Sequence, residues 1–177
     1  MRNNLLRNRK GFQALNYKKG NAFLDTVTIL VVAILLIFFI YYSYVAYKDW
    51  NNEFQKDDDM SAEAKDMAQN FSAKYPKMFD DGFIMVIILL WIAGLVSSFF
   101  IDSHPLFFII TVVLLLFVFY AGVHLGNIYE TIVTGDDALT LIVPSFPKAN
   151  WFMTHLLESI IVIGLSISLV IFAKMRT

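Results

Sequence analysis

Apolar residues gather into four long runs, 27–47, 83–101, 105–123 and 151–173, and charged residues fall almost entirely between them. A helix crosses a hydrocarbon layer of about 30 Å with about 20 apolar residues, so each run predicts one membrane-spanning helix. The expected fold is all-α: a bundle of four transmembrane helices forming one membrane domain, 25–177, preceded by a basic arm, 1–24.

The connections carry their own signals. In the first, 48–82, Asp57, Asp58 and Asp59 lead into Ser61, a good helix N-cap, and then into a stretch of helix formers ending at Lys74. This predicts a short amphipathic surface helix. Its apolar face, Met60, Ala64, Met67, Phe71 and Tyr75, is directed at the bilayer or at a neighbouring protein. Pro76 is expected to end that helix, and residues 80–82 to turn the chain into the second span. A tight turn at 101–105, with Pro105 in the first turn of the next helix, pairs the second and third spans as an antiparallel hairpin. The segment 124–150 carries Gly135, Asp136, Asp137, Pro144 and Pro147, breaker residues that predict an irregular loop on the membrane surface. At the far end of the first run, Tyr41, Tyr42, Tyr44, Tyr47 and Trp50 suit the headgroup level.

Charge gives these spans a direction. Arg2, Arg7, Arg9, Lys10, Lys18 and Lys19 precede the first run with Asp25 the only acid before it, which predicts an inside N-terminus by the positive-inside rule. Four spans return the C-terminus to the same side, where Lys174 and Arg176 follow the last run. The connections 48–82 and 124–150 then face outward. The first run is too long for a signal-peptide core and reads as a retained span. A net charge of −1 favours no anionic partner over any other, and the absence of cysteine excludes disulfides, thiolate metal sites and thiol catalysis.

Few residues are candidates for chemistry. A charge near the bilayer centre costs about 2.5–3.5 kcal/mol on insertion scales, so Glu158 in the fourth run stands out. At 100° per residue, His155, Glu158, Ser159, Val162 and Ser166 share one face, a polar stripe expected to point into the bundle. With His124 from the third run, this stripe would supply a proton relay or a metal site. The blander reading, which we favour, leaves Glu158 protonated, paired with His155 or reaching the interface. Gly122 and Gly126 form a GxxxG pair, and Gly94 and Gly164 are further small residues expected at helix contacts. The Asp57–Asp59 run lacks the alternation of an EF-hand loop and reads as solvated charge. The arm's six basic residues suit anionic lipid headgroups, at about 1 kcal/mol each near the surface. Nucleic-acid phosphate is a second, minor ligand class for them. No catalytic residue, metal or cofactor is expected.

Two resemblances bear on function. The run Lys18-Lys19-Gly20-Asn21-Ala22-Phe23-Leu24-Asp25 before a long apolar helix resembles a type IV prepilin processing site, which implies cleavage after Gly20. The whole chain, with its basic arm, crowded Phe/Ile/Val/Leu spans and acidic outer loop, is similar to small polytopic membrane proteins of viruses and phages that contain a lipid membrane. That resemblance implies a non-enzymatic structural or assembly protein in a virion or host membrane. Its partners would be lipid, other membrane or capsid proteins, and further copies of itself. The alternative is a small channel, holin or proton-coupled transporter using the His155/Glu158/Ser166 stripe; a membrane enzyme comes third.

Overall fold

The computed structural model describes residues 22–99 and 105–175. The six basic residues of the arm, the prepilin-like motif up to Asn21, residues 100–104 of the expected turn and Arg176 lie outside the described residues. The described chain is all-α. Four helices are long and apolar enough to cross a membrane: α1 (Ala22–Lys56), α2 (Ala62–Phe99), α3 (Pro105–Gly135) and α6 (Leu156–Met175). Between the last two lie α4 (Asp137–Ile142), a 3-10 turn (Val143–Ser145) and α5 (Pro147–Thr154).

Three of the four long helices outrun their apolar stretches. At 1.5 Å per residue, α1 and α2, with 35 and 38 residues, reach about 52 and 57 Å against a hydrocarbon layer of about 30 Å. The segment expected as a separate surface helix does start at Ser61, whose hydroxyl oxygen accepts from Ala64 N–H at 3.2 Å. It does not stop at Pro76, however. Pro76 lies inside α2, and residues 80–82 are helical as well. A proline removes one rung from the helix ladder. Tyr75 holds the helix on both sides of that rung, stacking on Phe79 at 4.1 Å and taking up Ser43 of α1 at 2.6 Å.

The connection 124–150 is likewise helical rather than irregular. α3 continues to Gly135, and Asp136 then caps α4, accepting from Ala138 and Leu139 N–H at 2.9 and 3.2 Å. The run 151–173 is not one helix either. It is divided at His155, which leaves helical geometry at φ −110° and ψ 36°.

The core follows the pairing of helices: α1 packs mainly on α2, and α3 mainly on α6. At mid-height it is aliphatic, with Ile37, Leu115, Ile163 and Ile167 all buried. Lipid is as apolar as these side chains, so close packing rather than water exclusion holds such a bundle together, and small residues set how near the helices come. A Cβ on Gly94 would lie 3.0 Å from Ile167 Cδ1, on Gly122 2.6 Å from Ile160 Cδ1, and on Gly164 3.2 Å from Leu115 Cδ2. Gly126 is looser, 3.9 Å from Met153 O.

Candidate functional site

The most organised polar structure lies at the end of the bundle that carries the 57–61 turn and the short helices; we call this the loop end. Asp80 of α2 is only 3 % exposed. Its Oδ1 accepts from Ala149 N–H at 2.7 Å and its Oδ2 from Lys148 N–H at 3.1 Å. These are first-turn amides of α5, whose own N-cap position, Phe146, has no side-chain acceptor to offer. The first amides of any helix lack internal partners and carry the positive end of its dipole. A carboxylate 68 residues away in sequence therefore caps α5 and fastens it to α2. Asp81, next along the chain but exposed, binds the ammonium of Lys148. That carboxylate holds the Lys148 ammonium above the usual lysine range.

A second chain of bonds ties α1, α3 and α5 together. Tyr129 OH donates to Asn150 Oδ1 at 2.9 Å and lies 3.0 Å from Tyr41 OH. A phenol has one proton, so Tyr41 is the donor in that second bond. Beneath this relay Phe146 is fully buried, its ring 5.3 Å from that of Tyr41 and 5.4 Å from that of Tyr44. Tyr41 thus packs inside the bundle, whereas Tyr42 is on its outer surface. Further out, Tyr47 OH donates to Ala68 O at 2.9 Å and Gln55 Nε2 to Lys65 O at 2.8 Å, bracing the α1–α2 hairpin beyond the apolar runs.

The polar stripe of the fourth run does not point into the bundle. His155, Glu158 and Val162 are exposed, and the inward face of α6 is Leu156, Ile160, Ile163 and Ile167. His155 stacks on Trp151 at 4.8 Å, with Nδ1 3.0 Å from Trp151 O. His124 is also exposed, its ring edge-on to Tyr120 at 4.5 Å. Ser166 does face a neighbour, accepting from Trp91 Nε1 of α2 at 2.8 Å. Among the described residues no three His, Asp or Glu side chains gather to hold a metal ion, so His124, His155 and Glu158 form no such set.

Two recesses flank Glu158. A cleft of about 470 Å³ between α3 and the α5–α6 segment has Gly122 and Gly126 along one wall and Glu130, Asn150 and Thr154 among its polar groups. On the other side an apolar groove of about 330 Å³ runs between α2 and α6, past Ile88, Trp91, Trp151 and Val162. The buried hydroxyls and carboxylate of the loop end are all engaged in joining helices, and this gives the site a mechanical chemistry: it fixes the short helices against the spans. Asp80, Tyr41, Tyr129 and Phe146 were not singled out in sequence as functional, although an acid pair placed directly before an apolar run was a visible signal. No family model matches this chain, and no curated protein or solved structure matches it either.

Proposed function

We propose that this protein is a non-enzymatic membrane scaffold that anchors or organises a protein assembly, in a virion membrane or in the host membrane where virions form. Both termini lie inside, as the basic arm requires under the positive-inside rule. The loop end then faces outward. The observation that carries this reading is the braced platform there. Residues 62–82 of α2 extend about 31 Å past the second apolar run as continuous helix. They are tied to α1 by Tyr47, Gln55 and Ser43, and to α5 by Asp80. A protruding rigid surface suits docking. The outward placement of Glu158 and the buried aliphatic side chains of Ile37, Leu115, Ile163 and Ile167 favour the scaffold over the proton-coupled alternative.

Isolation of the full chain from its native membrane in mild detergent tests this reading. The expected result is recovery in an assembly larger than the chain itself, together with proteoliposomes that hold a proton gradient as well as empty ones. Recovery as a lone chain, with a proton leak abolished by Glu158→Gln, would establish the transporter reading in its place.

A further inference from the structure

The part of α2 that extends past the second apolar run carries the chain's only Asn-x-Ser/Thr triplet, Asn70-Phe71-Ser72. With any middle residue but proline, that triplet is the acceptor signal for N-linked glycosylation. Its place in the fold suits the modification. Asn70 lies about 20 Å along the helix from Phe83, where the apolar run begins, and so stands clear of the hydrocarbon. Its side chain is exposed, as are Asp66, Gln69, Ala73 and Lys74 around it. The face of α2 that meets α1 is marked by Ala68 and Tyr75, both buried, with Tyr47 OH bound to Ala68 O and Tyr44 stacked on Tyr75 at 5.1 Å. At 100° per residue, Asn70 points about 140–160° away from both. A bulky group on Asn70 therefore extends into water and leaves the α1–α2 contact undisturbed.

Orientation decides whether the triplet is reached. With both termini inside, the connection 48–82 lies on the outer side, which in the secretory membranes of a eukaryotic host is the lumenal side. We propose that Asn70 is an N-glycosylation site, taking an oligosaccharide there from a lipid-pyrophosphate-linked donor. Asn70 Nδ2 bonds to the anomeric carbon of the first sugar as that carbon's bond to the phosphate oxygen breaks; one Nδ2 proton passes to a base of the host transferase, and the lipid pyrophosphate leaves. This inference rests on the orientation taken in the scaffold reading above. Packing supplies most of a helix's stability in a protein. The partners that Asp80 binds lie 68 and 69 residues away, so residues 70–72 are open to transfer while α5 is still unmade. The attached glycan, bulky and solubilising, then keeps this face of α2 in water and leaves partner contacts to the rest of the loop end.

The full chain, synthesised in the presence of eukaryotic endoplasmic-reticulum membranes, should migrate as a form heavier by one glycan. An enzyme that removes N-linked glycans should return it to the size of the unmodified chain. Asn70→Gln and Ser72→Ala should each abolish the heavier form, and Ser72→Thr should keep it. Two further variants separate the site from the orientation. Asp59→Asn, added to Asn70→Gln, completes an acceptor triplet with Met60 and Ser61 at the turn of the same connection, and Lys10→Ser completes one with Asn8 and Arg9 in the basic arm. A single glycan lost with Asn70→Gln supports the proposal, and a heavier form that survives Asn70→Gln overturns it. An unsubstituted chain without a glycan overturns the site in every case. If the Asp59→Asn chain is then modified, the orientation stands; if the Lys10→Ser chain is modified instead, the orientation falls with the site.

Discussion

Asp80→Ala should destabilise the bundle by about 2–4 kcal/mol, because one buried and one part-buried amide lose their acceptor and each unsatisfied buried donor costs about 1–3 kcal/mol. Those amides belong to Lys148 and Ala149, bound by Asp80 at 3.1 and 2.7 Å. The loss is not confined to α5. With its cap gone, the whole stretch from Asp136 to His155 is released from α2 at that point, and Lys148 keeps only its exposed contact with Asp81. Asp80→Asn retains one acceptor oxygen and should cost about half as much by the same reasoning. Asp81→Asn should change little, since exposed ion pairs contribute little to stability. Unfolding of the detergent-solubilised protein in increasing SDS, followed by circular dichroism, orders the three variants. Equal midpoints for Asp80→Ala and Asp81→Asn would refute the cap.

Phe146→Ala should be more severe. Truncating a fully buried phenylalanine costs about 3–5 kcal/mol through lost contacts and the cavity left behind. Phe146 is fully buried and joins the rings of Tyr41 and Tyr44, so its removal leaves the loop end of α1 facing a void beside the Tyr41–Tyr129 bond. Phe146→Leu should recover more than half of the loss by the same cavity reasoning. The same unfolding assay gives the magnitude, and a midpoint within error of the unsubstituted protein would show that the short helices do not seal the bundle. Phe146 and Asp80 hold one segment, so the double variant should fall short of the sum of the two.

What was legible in the sequence, and what was not, follows from which forces act locally. The four spans were plain because membrane crossing is a requirement on about 20 successive residues, which composition displays directly. Ser61 was readable for the same reason, its cap being only three residues from its partner amide. The continuity of α2 was hidden because Pro76, Asp80, Asp81 and Gly82 are residues that usually interrupt helices. Their effect here depends on Ser43, Lys148 and Ala149, partners far away in sequence. The helices α4 and α5 were lost among glycines and prolines, since Pro147 starts a helix that another helix caps.

The orientation of α6 failed for a different reason. In water a polar stripe identifies the outer face, and in lipid it is expected to mark the inner one. Here the inner face is Leu156, Ile160, Ile163 and Ile167, of which Ile167 fits against Gly94 and Ile160 against Gly122, while Ser166 of the stripe bonds Trp91 of α2. Both faces of that helix are mostly apolar, so hydropathy alone does not rank them, whereas shape complementarity does.

Hydrogen–deuterium exchange of the full chain in lipid nanodiscs is the most direct test of the central claim that the loop end is a braced platform and not a pair of surface loops. Amides of 64–80 and 139–153 should exchange slowly, close to those of the mid-height core, and Asp80→Ala should speed 139–153 selectively. Rapid exchange throughout both stretches in the unsubstituted protein would contradict it.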